Sequence, residues 1–283
     1  MNIPFLLKRR KAQQMKTIGD FHFLTREAAS VYQARANDYL GSHDLIEFTR
    51  NPLLYHKKRL GLVAERESQA FEFGRAAHVL ILEGRDRFET EYAFGGPVNP
   101  KTGQPFGPLT KAYADWAEKQ GKPVVSDSDL AIIEQMNAAV GAHCVANELL
   151  AEGVAEGVVR CEYQELRCQA RLDWLHPERG LIDLKTCYNL DAFEFDASAY
   201  RYSHQMAFYR ALLELASGVT FDVHIVAVEK QEPFRIGVWH FGPAVLDHAR
   251  KENEAAMARL KECEQTSVWP TGYEAVREFP NHL

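Results

Sequence analysis

Apolar positions follow two different periods along this chain, and the change between them divides it. From residue 42 to about 150 they recur three and four apart, the spacing of one helical face. From residue 158 to 187 they alternate, the spacing of strands with one face turned inward. Ser42 can cap a helix carrying Leu45, Ile46 and Phe48, which ends near Lys57, Lys58, Arg59 and Gly61. A second helix is predicted through Phe71–Glu83, with Gly84 as its stop. Residues 95–109 are rich in Gly and Pro and read as a long loop. Thr110 opens a short helix, and Ser126-x-x-Asp129 resembles a capping box for a longer one reaching about Leu150.

The alternating region predicts strands at Val158–Tyr163, Arg167–Trp174 and Leu181–Cys187. A helix over Ser198–Leu215 follows, then strands Val223–Glu229 and Phe234–His240, then a helix from about Ala244 to Lys261. No internal repeat or low-complexity segment interrupts this order. The fold class it predicts is α/β, on a mixed α+β plan. Residues 1–40 are polar, basic at the front and weakly periodic, and read as a basic N-terminal arm or peripheral element. Residues 41–283 read as one domain.

With 283 residues, 46% hydrophobic and 25% charged, the chain matches an ordinary globular protein. That excludes the disordered, collagenous and disulfide-scaffold classes. The net charge of −6 argues against a polyanionic partner until its distribution is read. Residues 1–60 carry 11 Lys and Arg against 5 Asp and Glu, a balance of +6, and the remainder carries −12. Such asymmetry is a prior for polyanion contact, with Lys8, Arg9, Arg10, Lys11, Lys16, Lys57, Lys58 and Arg59 as candidate phosphate contacts. No run approaches the roughly 18 apolar residues of a membrane span. The apolar run Ile3–Leu7 precedes the basic cluster, the reverse of a secretory signal. Five cysteines without a C-x-x-C pair read as reduced thiols of a cytoplasmic protein.

The candidate chemistry lies between Cys161 and Cys187. In GLIDLKTC, alternation puts Ile182 and Leu184 on one face and Asp183 and Lys185 on the other. Asp173 ends the preceding strand ten residues earlier, and pairing brings it beside Asp183. Two carboxylates this close repel and call for a cation, and an oxygen-rich site suits Mg²⁺ or Mn²⁺. The D-x-K spacing by itself equally suits the solvated face of an amphipathic hairpin. Leu172, Trp174 and Leu175 around Asp173, and Leu181–Leu184 around Asp183, favour a buried and therefore compensated pair.

These residues resemble the PD-(D/E)xK nuclease signature. GRAAHVLILEG around His78, CQARLDW around Asp173, LIDLKTC around Asp183 and YSHQMAFYR around Gln205 sharpen it. Together they resemble the exonuclease VIII-like branch of phage and prophage recombination systems, related to RecB-type nuclease domains, from about Ser42 to about Tyr273. The resemblance implies a restriction-endonuclease-like core, a central mixed sheet flanked by helices. It implies Mg²⁺, with Mn²⁺ as substitute, on Asp173, Asp183, the Leu184 carbonyl, His78 and Glu162, with Glu165 competing for the last place. Lys185 would position the attacking water and offset phosphate charge rather than act as a literal base. Gln205 and Tyr209, i and i+4 on one helix, match its Q-x-x-x-Y element, although both also fit a core stripe with Met206, Phe208 and Leu213.

The implied substrate is linear double-stranded DNA, digested 5′-to-3′ by a ring-like homo-oligomer to leave 3′ single strands for an annealing recombination protein. A structure-specific endonuclease and a non-catalytic DNA-binding module on a decayed nuclease fold are the alternatives. Downstream of Cys187 only Cys263 remains, which does not supply the ligands of the iron–sulfur cluster some such nucleases carry. No P-loop and no G-x-S-x-G elbow occurs, so neither ATP nor a serine nucleophile is expected.

Overall fold

Alternation in the middle of the chain produces a three-strand meander, β1 (Val154–Tyr163), β2 (Leu166–His176) and β3 (Gly180–Cys187). Strands β4 (Val223–Glu229) and β5 (Ile236–His240) complete a sheet in the order β1-β2-β3-β4-β5. The computed structural model describes residues 21–63 and 69–278. All pairs are antiparallel except β3 with β4, where Asp183 lies beside Ile225 and Lys185 beside Ala227. A parallel pair needs a crossover, and α6 (Phe193–Ala199) and α7 (Tyr202–Ser217) supply it.

Helices cover both faces of the sheet. Phe48 of α1 (Ser42–Arg50), Phe208 and Leu212 of α7 and Met257 and Leu260 of α8 (Pro243–Thr266) pack against Leu172, Leu181 and Ile225. On the other face, Ala76 and Ala77 of α3 (Gln69–His78) and Ile133 and Met136 of α4 (Asp127–Ala142) pack against Ile182, Leu184 and Val226. Burial on both sides explains why β3 and β4 read as nearly continuous apolar runs.

Four of the predicted helices are divided or bounded differently. The helix at residue 42 takes its cap from Gly41, whose N–H donates to Asp44 Oδ2 at 2.9 Å, and Ser42 lies inside it. It ends at Asn51 because Pro52 starts a new helix, α2 (Pro52–Arg59), capped by the Asn51 side chain. The helix after Ser126 breaks at His143, whose Nδ1 accepts from Ala146 N–H at 3.1 Å and opens α5 (Cys144–Ala151). The crossover helix is two helices, parted by Arg201 at φ +59°. The Phe71–Glu83 prediction divides at His78: α3 ends there, and Val79–Glu83 continues as a π-helical turn.

Residues 21–40, the described part of the predicted arm, pack on the sheet. Thr25 exchanges two backbone hydrogen bonds with Val158 of edge strand β1, at 2.8 and 2.9 Å, and Glu27 pairs with Arg160 at 2.5 Å. Leu40 bonds the open side of β2 through the Arg167 carbonyl and the Gln169 N–H, at 2.8 and 3.0 Å. These contacts occupy strand edges that would otherwise expose unpaired backbone. The cluster Lys8, Arg9, Arg10, Lys11 and Lys16 lies outside the described residues. Lys58 pairs with Glu47 at 2.5 Å and Arg59 donates to the Ala36 and Asn37 carbonyls, so both already serve the fold.

Candidate active site

Strands β2 and β3 pair only over Trp174–Ile182, Leu175–Leu181 and His176–Gly180, and then part. Asp173 is the first residue beyond the last pair. Its Oδ2 accepts the Leu184 N–H at 2.8 Å, so a side chain takes the place of a ladder bond at the fork. The chain from Leu40 into α1 fills the opening, and Ser42 there bonds Tyr209.

His78 ends α3 with its ring turned into the fork. Its Nδ1 is 2.7 Å from the Gly74 carbonyl, one helical turn back. That carbonyl can only accept, so Nδ1 carries a proton and donates. Nε2 faces two further oxygens, the Leu184 carbonyl at 2.7 Å and Asp173 Oδ2 at 3.2 Å. Something positive must stand between an imidazole nitrogen and two acceptors: a second proton or a cation. Burial opposes that charge, but the Asp173 carboxylate and the Gly74 carbonyl raise the His78 pKa to about 9. Burial likewise opposes ionisation of Asp173, yet His78 and Lys185 hold its carboxyl below the usual range.

Asp183 and Lys185 occupy the α7 side of β3. Asp183 is 1% exposed, and Lys185 Nζ lies 2.6 Å from its Oδ2. Burial pushes the Asp183 carboxyl up to about 6 against the pull of Lys185. Burial also opposes the Lys185 charge, but Asp183 and Asp173 outweigh it and raise its pKa, so the ammonium stays protonated. Lys185 Nζ donates to Gln205 Oε1 at 3.2 Å, and Gln205 Nε2 donates to the Tyr209 hydroxyl at 3.1 Å. The Tyr202 ring lies 4.8 Å from the ammonium. Gln205 and Tyr209 are both buried, so the core stripe and the site coincide in them.

The structure does not bring Glu162 to this cluster. It is exposed, opposite Arg167 near the hairpin end of β1. Glu165 is exposed too and pairs with Lys261 at 2.6 Å. The acidic residue that β1 does bring is Glu156. The flanking pairs Ala155–Trp174 and Gly157–Leu172 put it opposite Asp173, about 20 Å along the strand from Glu162 at ordinary strand rise. Its φ of +55° is strained for a residue with a Cβ. Arg171 Nε holds its carboxylate at 2.6 Å, while burial and the Asp173 charge push its pKa to about 7. The signal was a carboxylate inside the apolar-and-glycine run VAEG; it was hidden because this backbone breaks the alternation before Val158.

Among the described residues, no three His, Cys, Asp or Glu side chains close round one point as a metal group. The convergence of His78 and Asp173 has a backbone carbonyl as its third member, and Lys185 engages Asp183. The donor set nevertheless fits a hard divalent cation. It offers carboxylate and carbonyl oxygens and an imidazole whose other nitrogen is oriented by a carbonyl.

A pH dependence follows. His78, Glu156 and Asp183 all have pKa values raised above their ordinary ones, to about 9, 7 and 6. A group whose folded pKa is raised contributes stability below its unfolded pKa and loses it as pH climbs through the folded value. Below about 6.5, His43, whose pKa desolvation lowers to about 4, contributes stability that grows as pH rises and opposes Glu156 and Asp183. In chelator, the melting temperature should therefore fall as pH rises from about 6.5 to about 9, and His78→Gln should flatten that fall.

A profile of a family described as a PDDEXK-like domain of unknown function (DUF3799) matches residues 44–278. Among solved structures, a candidate exonuclease from Eubacterium rectale aligns with a TM-score of 0.66 at 14% identity, covering 90% of this chain and 96% of that one. That likeness establishes a shared fold. No curated protein matches the chain in sequence. No helix among the described residues is long and apolar enough to cross a membrane. With the fork, the D-x-K strand and the profile in agreement, the chain belongs to this PDDEXK-like family, and so to the PD-(D/E)xK nuclease superfamily.

Proposed function

We propose that this chain is a divalent-metal-dependent deoxyribonuclease that hydrolyses phosphodiester bonds of linear double-stranded DNA. The observation that carries the reading is the meeting of His78 Nε2, the Leu184 carbonyl and Asp173 Oδ2, with the Asp183–Lys185 pair beside it. Asp173, Asp183, His78 and the Leu184 carbonyl would hold Mg²⁺ or Mn²⁺, with Glu156 in the place expected of Glu162. Bound there, the cation supplies a Lewis acid for the phosphate and lowers the pKa of a bound water. Gly74 fixes the tautomer and orientation of His78. Lys185, held protonated, offsets charge on the phosphate and orients water, and Gln205 and Tyr209 hold it in place. Degradation from 5′ ends, leaving 3′ strands for an annealing protein, is the mode that the resemblance to the exonuclease VIII-like motif order implies. The Eubacterium rectale protein is described as a candidate exonuclease and supports attack at ends alone.

End-labelled linear duplex and closed circular DNA, each incubated with Mg²⁺, test this. Mononucleotides from the linear substrate, 5′ label first, with the circle intact, is the expected result. A cut circle makes the chain an endonuclease, and no release with either Mg²⁺ or Mn²⁺ overturns the proposal. The acidic assignment has its own check. Glu156→Gln should slow release at least tenfold, within the range for losing one electrostatic group at an active site. Glu162→Gln should release nucleotides at the unmodified rate, and the opposite ranking returns Glu162 to the site.

A further inference from the structure

Lys230 follows the last residue of β4, where that strand leaves the sheet beside the end of β3. Its ammonium lies between two aromatic rings, 5.2 Å from the centre of Phe73 and 5.7 Å from that of Tyr188. Among the described residues, no carboxylate compensates it: burial lowers its pKa, and only Cys187 acts in the other direction. The adjacent acid, Glu229, is 2% exposed and fully engaged, bonded by Arg235 at 2.7 and 2.9 Å and by Leu190 N–H at 2.9 Å. A half-buried cation without a counter-ion is costly in a folded protein, and an anionic ligand relieves that cost.

The surroundings say which anion. Tyr188 comes three residues after Lys185 on the same strand exit, about 10 Å along it at strand rise. Phe73 lies on α3, five residues before His78. The cage therefore stands at the rim of the fork, within a nucleotide or two of the candidate catalytic groups. Tyr188 is 73% exposed although its backbone is fixed: the Lys230 N–H donates to the Cys187 carbonyl and Gln231 Nε2 to the Tyr188 carbonyl, both at 2.9 Å. A large exposed ring on a clamped backbone offers a flat stacking surface. On the other side of Lys185 the exposed Tyr200 stacks on Tyr202, ring centres 5.9 Å apart, and Tyr202 covers the ammonium. A base offers its full face to such a ring once it is out of the duplex stack, whereas a blunt duplex presents the alternative, the outer face of its terminal pair.

We propose that Lys230, Tyr188 and Phe73 form a subsite for an unpaired nucleotide of the substrate strand. Lys230 takes its phosphate, Tyr188 stacks on its base, and Phe73 backs the ammonium. The subsite rests on the nuclease reading above and deepens it: the strand enters the fork already separated from its complement.

The test is binding of a fluorescent single-stranded oligonucleotide and of a blunt duplex to the full chain in chelator, with nucleotide release in Mg²⁺ measured in parallel. Tyr188→Ala and Lys230→Gln should each weaken single-strand binding about tenfold, the scale of losing one base stack or one phosphate contact. Tyr188→Phe should restore binding, because the ring and not the hydroxyl acts. Binding of the duplex should change less than twofold. Melting curves identify any variant that has lost its fold, and the Tyr188→Phe comparison is made at the same site. Undiminished single-strand binding by Tyr188→Ala, or equal losses on both substrates, overturns the subsite and leaves the nuclease standing. A wild-type chain that releases no nucleotide overturns the nuclease reading itself, whatever it binds.

Discussion

Lys185→Ala should abolish measurable nucleotide release, a loss of about a thousandfold or more, as expected for removing a charge aimed at a developing anion. The same change should reveal what the lysine does in the folded protein. Asp183 is 1% exposed, and without Lys185 its carboxylate has lost its ion-pair partner. Removing one member of a buried pair costs about 3–5 kcal/mol when the other must stay charged. Here the cost depends on pH, because the Asp183 carboxyl has been pushed up to about 6 by burial. Below that pH it is neutral and the lysine is not needed for balance. The variant should therefore melt well below the parent at pH 8 in chelator and close to it at pH 5. Equal melting at both values, with activity lost, would confine Lys185 to chemistry and remove it from the fold's charge balance.

Asp183→Asn is expected to move activity and stability in opposite directions. Nucleotide release should stop, since the amide removes an anionic ligand. Stability in chelator should rise at neutral pH, because ionised Asp183 is held against its preference; each kcal/mol gained raises the melting temperature by roughly 2–4 °C in a domain of this size. Adding Mg²⁺ should then raise the melting temperature of the parent and leave the variant unmoved. A ligand that binds only the folded state at a hundred times its dissociation constant contributes about 2.7 kcal/mol. A destabilised Asp183→Asn protein, or one still shifted by Mg²⁺, would place the metal elsewhere.

Much of the fold and of the candidate site is legible in the sequence. Asp173, Asp183 and Lys185 stand out there because a carboxylate or an ammonium inside an apolar run needs a reason. His78, Gln205 and Tyr209 needed the resemblance, since a helical histidine and an aromatic stripe have ordinary packing explanations. The strands were found by alternation, and β4 runs over its predicted residues, Val223–Glu229. What escaped lies where the backbone departs from its period. Glu156 sits at φ +55°, so the alternation that identifies the rest of β1 stops just short of it. The breaks at His143 and Arg201 depend on a ring nitrogen acting as a cap and on one left-handed residue, neither of which leaves a mark in hydrophobicity. The break before Pro52 did leave one, in the proline itself. The fork was invisible because where two strands stop pairing is set by what fills the gap, here Leu40 and the start of α1, more than 120 residues away in sequence.

The π-helical turn at Val79–Glu83 makes the site depend on counting as well as on chemistry. Such a turn holds one residue more than an α-turn of the same role. Deleting any single residue from it would let the segment close as ordinary α-helix and rotate everything before it by about 100° relative to the sheet. His78 would remain in the chain, with Gly74 still one turn behind it, yet its ring would face away from the Leu184 carbonyl. This chain with one of those residues deleted should keep every signature residue and yet release no nucleotide, because the count from His78 to Gly84 is what aims the ring.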